Sequence, residues 1–366
     1  MKSKLALGLM SGTSADGLSI VLAEFKPRSF SLKHYTTVPY PHHLTKKIRK
    51  ALTLRTPELS RLHFDLGHFF ADHSLKFLNK HRIPFEKIAV IGSHGQTVYH
   101  GPHDRPANTL QIGEPAVIAE KTGIPVVADF RPGDIACGGS GAPLIPYFDH
   151  FFFSDRFGKA LQNIGGIANV TFVKKGQLPI AFDNGPGNML MDLAMLKISR
   201  GKAAFDRNGQ LARRGNILEP ILVSLKKHPY FQKQPPKSTG KELFNLTLVP
   251  RRLWREKPED ILATLTYFTA WAIADSYYAF APFGLTEVLV SGGGALNPVL
   301  MNHLKQLLYP ADVRIQDEFK LQPQAKEPLA FAFFALRALH HQTNHLPSVT
   351  GAKRPVILGK LIHAPR

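Results

Sequence analysis

The sequence LALGLMSGTSADGLSIVLAEF, residues 5–25, decides the fold class of this chain. Two apolar runs flank a segment rich in glycines and hydroxyls, which is typical of a β-hairpin with a tight turn. Backbone amides in such a turn, together with the Thr13 and Ser14 hydroxyls, can donate to phosphate oxygens. The GxxxxGK[ST] pattern is absent and no helix clearly follows the glycines, so a nucleotide site here would be a hairpin-type cradle. An ordinary Gly-Ser hairpin turn is the alternative.

Three later glycine-rich loops repeat this plan. KALQNIGGIANVTFVK, residues 159–174, again has the pattern strand, turn, strand, and PIAFDNGPGN, residues 179–188, has a strand followed by a glycine loop. EVLVSGGGALNP, residues 287–298, has a strand that leads into three consecutive glycines. Together the loops predict a duplicated α/β fold of two lobes, each a mixed sheet with flanking helices, with a nucleotide cleft between the lobes.

The composition favours an anionic ligand. The chain has 366 residues, enough for two domains, and a net charge of +19 from 46 Lys and Arg against 27 Asp and Glu. Such an excess suits a nucleotide, a phosphorylated product, an acidic sugar or a nucleic acid. No Lys/Arg run interleaved with aromatics marks a nucleic-acid surface, and a solvated basic exterior is the alternative explanation of the charge.

The cysteine count and the apolar runs indicate the compartment. Cys137 is the only cysteine, so an intramolecular disulfide is impossible and a reducing environment is expected. The first apolar run is too short for the hydrophobic region of a signal peptide, and no stretch approaches the length of a membrane span. We therefore expect a cytoplasmic protein with no membrane partner.

Strand and helix patterns alternate along the chain and divide it into two lobes. We expect the first lobe at residues 1–134 and the second at 135–340, because residues 131–146 are rich in Gly, Pro and Ala. The basic segment 341–366 is a candidate to pack back onto the first lobe. The polar, Lys- and Pro-rich residues 228–245 are expected to form a mobile insertion.

Asp183 is the first candidate for a catalytic group. It is expected to end an apolar strand and is followed by Asn-Gly-Pro-Gly, a loop suited to binding an anion. A carboxylate in that position can act as a general base beside a phosphate. Alternatively, Asp183 caps the helix expected from Asn188 or closes the turn.

Two further strand ends carry polar side chains suited to a sugar. His94 and Gln96 follow one buried strand, and Asp129 and Arg131 end another, so alternate residues can face one cleft. Arg131 can bind a carboxylate in bidentate fashion, and Glu327 can bind a sugar hydroxyl near a helix end. The structural alternatives are an Asp129–Arg131 ion pair, a turn histidine at position 94, and a carboxylate that stabilises a helix N-terminus at position 327.

Other chemistries have little support in the motifs. CxxC, HExxH and EF-hand patterns are absent, and the paired histidines at 42–43 and 340–341 lack further ligands at helical spacing. A serine hydrolase is poorly supported because no GxSxG elbow occurs.

These motifs together resemble the anhydro-N-acetylmuramic acid kinases, members of the sugar kinase/actin/heat-shock ATPase superfamily. The resemblance covers nearly the whole chain, and its combination of motifs is specific. The motifs are GLMSGTSADG (8–17), GSHGQTVYH (92–100), LQIGEP (110–115), VADFRPGDIACGGSGAPLIP (127–146), NIGGIANVT (163–171), FDNGPGN (182–188), PPKSTGKELFN (235–245) and VSGGGALNP (290–298).

The resemblance implies an actin-like ATPase fold and a reaction. Such enzymes convert 1,6-anhydro-N-acetylmuramic acid, a product of cell-wall recycling, into N-acetylmuramic acid 6-phosphate with ATP, a divalent metal ion, taken as Mg²⁺, and water. They are similar in forming homodimers. By the same resemblance Asp183 is the catalytic base, and His94, Gln96, Asp129, Arg131 and Glu327 hold the sugar. The residues that would line the nucleotide cleft are Gly12, Thr13, Ser14, Asp16, Gly17, Gly166, Asn169, Gly293 and Asn297.

The sequence departs from the family pattern at four places. Ser19 stands where an acidic residue is usual, Asn184 replaces a threonine, Lys241 replaces an arginine, and Pro328 follows Glu327 in place of alanine. The change at Ser19 bears on metal coordination, for which Asp16 remains, and Lys241 loses bidentate geometry if it meets an anion. Ser19 and Asn184 also suggest an alternative function, a sugar- or nucleotide-binding relative without turnover.

Overall fold

Strands and helices alternate along the chain in the computed structural model, which describes residues 4–12, 17–240, 242–316 and 325–365. The strands are β1 Lys4–Ser11, β2 Gly17–Lys26, β3 Ser29–Pro39, β4 Ile88–Gly101, β5 Asn108–Ile112, β6 Val126–Ala128, β7 Lys159–Ile164, β8 Ile167–Val173, β9 Ile180–Pro186, β10 Glu287–Ser291, β11 Asp312–Ile315 and β12 Lys360–Ile362. The α-helices are α1 His42–Arg49, α2 Thr56–Lys80, α3 Pro115–Thr122, α4 Phe130–Ala136, α5 Ile145–Phe153, α6 Met189–Ile198, α7 Glu219–Lys226, α8 Pro258–Phe280, α9 Pro298–Leu307, α10 Lys326–Leu339 and α11 Pro347–Thr350.

Two sheets with the same core topology confirm the duplicated α/β architecture. The first has the strand order β12-β6-β4-β1-β2-β3, with β5 paired to β4, and the second has the order β11-β10-β7-β8-β9. In each sheet an antiparallel hairpin and its third strand lie on one side. A parallel pair of strands lies on the other. Parallel pairs of this kind need crossover helices, which accounts for the helical segments between the strands.

The chain divides into two compact units, residues 1–152 with 325–366 and residues 153–324. The crossings therefore lie at 152/153 and 324/325, whereas the sequence analysis placed them at 134/135 and 340/341. The difference arises because α10 and all of α5 except its last residue, Phe153, belong to the first unit. Residues 151–153, expected at the start of the second lobe, lie in α5.

The helix α10 lies against β1 and β4 at two glycines. A Cβ atom at Gly8 would come 1.8 Å from the Pro328 carbonyl oxygen, and one at Gly92 would come 2.1 Å from that of Phe331. Only glycine permits such a close approach of helix and strand backbones. Pro328 follows Glu327 directly, so this contact also sets the position of Glu327 in the first turn of α10.

A buried ion pair joins α5 to α10 within the first unit. The Lys326 ammonium lies 2.8 and 3.0 Å from the two carboxylate oxygens of Asp149, and both side chains are almost fully buried. The same two helices also contact through Phe148, Phe152 and Phe333, whose ring centroids lie 4.7 to 5.9 Å apart. Pairing of the two charges offsets their desolvation.

Residues 228–245 are not a separate mobile insertion, and this expectation was wrong. Tyr230, Phe231 and Phe244 are buried in the core of the second unit, where Phe231 packs against Phe268 of α8. A 3-10 turn over Pro229–Gln232 begins the segment. The Lys and Pro content suggested a solvated loop, whereas the aromatic residues between them anchor it.

The C-terminal segment contributes to the first sheet. β12 pairs antiparallel with β6, and the buried Asn344 side chain donates to the carbonyl oxygens of Phe334 and Leu358 at 3.0 and 2.9 Å. Within the described part of the chain, no helix combines the length and the apolar character that crossing a membrane requires.

The Gly8 contact leads to a stability prediction. Gly8→Ala should lower the free energy of unfolding by about 3 kcal/mol, because the new methyl group meets a backbone carbonyl that cannot turn away. Urea unfolding followed by circular dichroism measures this. Gly284→Ala is the matched control, since Gly284 is exposed and its Cβ would meet nothing within 4 Å. Equal stability of the two variants would contradict the close packing of α10.

Candidate active site

Asp183 lies in β9, the edge strand of the second sheet, and its backbone and side chain are both held. Its N–H donates to the Lys237 carbonyl oxygen at 3.0 Å, and its own carbonyl oxygen accepts from the Tyr230 hydroxyl at 2.7 Å. The carboxylate oxygen Oδ2 accepts from the Thr239 N–H at 2.9 Å. The strand continues to Pro186, so Asp183 does not end it as expected. The carboxylate thus bonds to Thr239, whereas the alternative considered from the sequence was that it caps the helix expected from Asn188.

The environment of Asp183 favours its protonated form more than water does. Burial raises the pKa of Asp183 to about 6. The Thr239 N–H opposes this by stabilising the carboxylate, and the negative charge of Glu242 adds to it. A carboxyl group with this pKa is ionised at neutral pH and is a stronger base than an ordinary aspartate.

Three glycine loops meet at one end of the second sheet, where β7, β9 and β10 end, because these strands run in the same direction. The N–H groups of Gly187 and Asn188 donate to the carbonyl oxygens of Gly166 and Gly165 at 2.9 and 2.7 Å. A Cβ at Gly292 would lie 2.6 Å from the Ile164 carbonyl oxygen. The loops after β7, β9 and β10 are therefore packed backbone to backbone.

Two of the predicted nucleotide residues in this unit leave room for a ligand. A Cβ at Gly166 or Gly293 would meet its nearest neighbours at 3.4 and 3.6 Å, an ordinary contact distance. The exposed Gly166 and the open Gly293 thus suit a phosphate that approaches the backbone. Asn169 lies opposite Asp183 in the β8–β9 register.

Asn297 has a structural role that the sequence analysis did not assign. Its Oδ1 accepts from the N–H groups of Val299 and Leu300 at 3.0 and 3.3 Å, which caps the N-terminus of α9. Its amide Nδ2 is the group left to donate to a ligand.

The first glycine loop is described only in part. Thr13, Ser14 and Asp16 lie outside the described residues. Gly12 follows β1, and Gly17 begins β2, where a Cβ would come 2.3 Å from the Val38 carbonyl oxygen. Close packing against β3 therefore accounts for the glycine at position 17.

His94 and Arg131 come together in the first unit. The Arg131 Nε and Nη2 groups donate to His94 Nε2 at 3.1 and 2.9 Å, and Arg131 Nη1 donates to the Gly141 carbonyl oxygen at 2.8 Å. Because Nε2 accepts from a guanidinium, the ring proton of His94 is on Nδ1, which donates to the Gly95 carbonyl oxygen at 2.9 Å. Burial lowers the pKa of His94 to about 3, and the charge of Arg131 acts in the same direction, so the imidazole is neutral.

Glu327 lies in electrostatic range of this pair. Burial lowers the pKa of Arg131, and the negative charges of Glu327 and Asp134 oppose that shift. The ring of Phe331, one helical turn after Glu327, has its centroid 4.6 Å from that of His94. The structure thus gathers His94, Arg131 and the first turn of α10 in one place.

Gln96 is bound elsewhere. It lies within β4 together with His94, not after the strand as expected, and Gly95 between them has a φ of +75°, which interrupts the regular alternation of side chains. The buried Gln96 accepts from the Ser11 hydroxyl, which in turn accepts from the Tyr40 hydroxyl at 2.6 Å.

Asp129 is also separate from Arg131 in its contacts. It accepts from Lys360 at 2.7 Å, so the expected alternative of an Asp129–Arg131 ion pair is not formed. Its φ of +54° is uncommon for a residue with a side chain and is of the kind found at functional sites. Arg131 lies in α4, a helix that the Gly- and Pro-rich sequence did not predict.

The departure at Asn184 is accommodated by the core. The Asn184 side chain is fully buried, accepts from Gln162 Nε2 at 2.9 Å and donates to the Ser276 hydroxyl of α8 at 2.7 Å. Tyr277 donates to Gln162 Oε1 at 2.8 Å and completes the network. A fully bonded polar network holds the residue next to Asp183 rather than weakening the loop.

Ser19, the departure that bears on metal binding, lies in a cluster of hydroxyls. Its Oγ is 3.0 Å from the Thr37 hydroxyl and 3.4 Å from that of Tyr35. Over residues 4–12, 17–240, 242–316 and 325–365, no three His, Cys, Asp or Glu side chains are grouped to hold a metal ion.

Sequence reasoning missed the residues that hold Asp183. Tyr230, Lys237 and Thr239 lie in the segment treated as an insertion, and the signal was its aromatic content together with the motif PPKSTGKELFN. Asp192 in α6 was also missed, and burial raises the pKa of this carboxyl to about 6. Burial of a single carboxyl on a helix has no marker in one sequence.

Comparison with known proteins identifies the family. Residues 4–364 match the family model described as anhydro-N-acetylmuramic acid kinase. The enzyme of that name from Caldanaerobacter subterraneus subsp. tengcongensis is 40% identical, with 98% of this chain and 97% of the relative covered. One from Bacillus cereus is 37% identical, with 98% and 99% covered.

A solved structure, the activator of the 2-hydroxyisocaproyl-CoA dehydratase from Clostridium difficile with bound ADPNP, is similar at 14% identity and a TM-score of 0.47, with 90% of this chain and 94% of that chain covered. A likeness of that size supports no conclusion about this protein. The family match and the full-length relatives do: the chain belongs to the anhydro-N-acetylmuramic acid kinase family.

Proposed function

We propose that this protein is an ATP-dependent kinase that opens 1,6-anhydro-N-acetylmuramic acid with water and phosphorylates its 6-oxygen. The product is N-acetylmuramic acid 6-phosphate, an intermediate of peptidoglycan recycling. Family membership supports the reaction, and one observation supports the site. Asp183 has a pKa near 6 and lies in β9. This strand leads into one of the three glycine loops that pack together at one end of the sheet.

Asp183 acts as the general base in this proposal. Its carboxylate takes a proton from a water molecule whose oxygen bonds to the anomeric carbon, while the bond from that carbon to the bridging 6-oxygen breaks. The freed 6-oxygen bonds to the γ-phosphorus of ATP while the bond from that phosphorus to the bridging oxygen breaks, and ADP leaves. Bond opening creates the nucleophile where the phosphate lies, so positioning substitutes for a stronger base.

The glycine loops are suited to hold the nucleotide. Backbone N–H groups around Gly166 and Gly293 are proposed to meet phosphate oxygens, and Asn169 and Asn297 Nδ2 are further donors. Gly12, Thr13, Ser14, Asp16 and Gly17 complete the proposed nucleotide residues. Mg²⁺ commonly binds through phosphate oxygens and water with one or two carboxylates. When bound, it would neutralise phosphate charge.

The sugar is proposed to contact Gln96, Asp129, Arg131 and Glu327, with His94 behind Arg131. Three of the five Arg131 N–H bonds are used by His94 and Gly141, so two are left to meet the sugar carboxylate. The neutral His94 acts through Arg131, whose guanidinium it orients. A homodimer, which the family resemblance implies, and a cytoplasmic location, which the single cysteine favours, are also part of the proposal.

A coupled assay of ADP release tests the reaction. We expect release with ATP and 1,6-anhydro-N-acetylmuramic acid, and none above background with ordinary N-acetylmuramic acid or glucosamine derivatives. Asp183→Asn should lower turnover on the order of 1000-fold because the base is lost, while ATP binding by calorimetry stays unchanged. A near-normal rate in that variant would remove Asp183 from the mechanism.

The pKa of Asp183 predicts the pH dependence of activity. Because the ionised carboxylate is the active form, kcat/KM should rise with pH through an apparent pKa of about 6. The rates are to be measured from pH 5 to 8, with calorimetric ATP affinity over the same range as the control. A flat profile across that range would show that another step or group controls the rate.

The same shift predicts a stability change. A carboxyl with a raised folded-state pKa binds its proton more tightly in the fold, so its cost to stability is absent below about pH 4 and complete above about pH 6. Asp183→Asn should therefore raise the free energy of unfolding by about 2 kcal/mol at pH 7.5 and change it little at pH 4. Asp192→Asn should behave alike in urea unfolding if burial is the cause. Lower stability of the Asp183→Asn variant than of wild type at pH 7.5 would contradict this.

A further inference from the structure

We propose that Lys237 is a positioning residue for Asp183, with its ammonium group enclosed by three aromatic rings so that residues 235–240 are held against β9. The inference rests on the proposed function only in that Asp183 is the group whose position matters. The enclosure itself can be tested without turnover.

The enclosure consists of rings from three separate elements. The Lys237 Nζ atom lies 4.6 Å from the ring centroid of Phe280, 5.0 Å from that of Tyr230 and 5.5 Å from that of Phe182. All three distances are within the range of cation–π attraction, which is stronger when the cation is removed from water. Lys237 is 8% exposed, so the ammonium is largely desolvated.

The aromatic faces and the negative charge of Asp275 compensate for this buried charge. Among the described residues Lys237 Nζ has no hydrogen-bond partner. Burial lowers the pKa of Lys237, and the charge of Asp275 opposes the shift. A buried ammonium without hydrogen bonds is costly, so the rings that surround it stabilise the one conformation of the segment in which they enclose the charge.

Residues 235–240 hold Asp183 at two atoms, and Tyr230 holds it at a third. The Lys237 carbonyl oxygen accepts from the Asp183 N–H, the Thr239 N–H donates to the carboxylate, and the Tyr230 hydroxyl donates to the Asp183 carbonyl oxygen. Tyr230 therefore presents its ring to the ammonium and its hydroxyl to Asp183. The Tyr230 side chain therefore contributes both to the enclosure of Lys237 and to the hydrogen bonds that hold Asp183.

The position of β9 in the sheet explains why residues 235–240 need a side chain that holds them in place. β9 is the edge strand, paired with β8 on one side, so its other edge presents N–H and C=O groups without a strand partner. Residues 237–239 satisfy part of that edge without forming a strand. An irregular segment has few ladder bonds of its own, and its register on β9 is fixed by side chains. Lys237 is placed to supply that register.

Lys237→Met is the first test, since methionine retains the apolar stem and removes the charge. We expect kcat to fall roughly 10- to 100-fold, with KM for ATP and sugar changed little, because a misplaced base affects the chemical step. The acidic limb of the pH profile should move to higher pH, since the Thr239 N–H that lowers the pKa of Asp183 is lost. A merely structural role would not move this limb.

Hydrogen exchange directly measures the hydrogen bonds between Asp183 and residues 237–239. In Lys237→Met the amides of Asp183 and Thr239 should exchange on the order of tenfold faster than in wild type, while those of β7 stay unchanged. Wild-type exchange together with a wild-type pH profile in Lys237→Met would overturn the proposal.

A second variant covers the case in which Lys237→Met does not fold. Phe280→Leu removes the nearest ring and leaves Lys237 in place, and it should shift both readouts in the same direction. Phe283→Leu is the matched control, because Phe283 lies under another cation, Lys174, at 5.5 Å. Equal effects of the two leucine variants would overturn the proposal by showing that a general loss of packing is the cause.

The outcomes separate this proposal from the proposed function. If Asp183→Asn retains normal activity, the role of Asp183 fails, whereas the exchange of the two amides still reports on the enclosure. If Asp183→Asn is inactive and Lys237→Met is normal in both readouts, the function stands and the enclosure is overturned.

Discussion

Backbone hydrogen bonding along the open edge of β9 is the constraint on which the candidate active site depends. An edge strand presents polar groups that must find partners, and here residues 237–239 supply them where the carboxyl group of Asp183 lies. Burial at this position raises the pKa of the carboxyl, and the hydrogen bond from Thr239 opposes that rise. The same segment thus pairs with the open edge of β9 and contacts a carboxyl group whose pKa is raised.

In the first unit, the close packing of a helix on the sheet likewise determines the surroundings of polar and charged side chains. The backbone of α10 touches β1 and β4 at Gly8 and Gly92, so the helix lies unusually close to the sheet. That approach brings the Phe331 ring to His94 and sets Glu327 near Arg131. Charge and hydrogen bonding then keep the imidazole neutral and the guanidinium oriented. The arrangement of His94, Arg131 and Glu327 therefore depends on the two glycines that allow this close packing.

Local patterns predicted much of this protein. The paired strands β1 and β2, the hairpin after residue 159 and the long helix near residues 261–280 all form where the periodicity of apolar residues places them. Asp183 was chosen as a candidate because it lies in an apolar run that is followed by Asn-Gly-Pro-Gly. Lys237 and Tyr230 were not found, since their partners are distant in sequence, and α4 was missed because glycine and proline lower helix propensity. The segment 228–245 was misjudged because polar residues dominate its composition while three aromatics decide its packing.

The sequence by itself determined the strand and glycine-loop pattern, the α/β class and, through its motifs, the family. Those properties depend on residues near one another in the chain, where spacing and residue type carry the information. Tertiary structure alone decided which neighbours each charged group has. It gave Asp183 its Thr239 bond, His94 its neutral form and Lys237 its aromatic surroundings. The reason is that desolvation and hydrogen bonding act through space, between segments whose proximity only the folded chain creates.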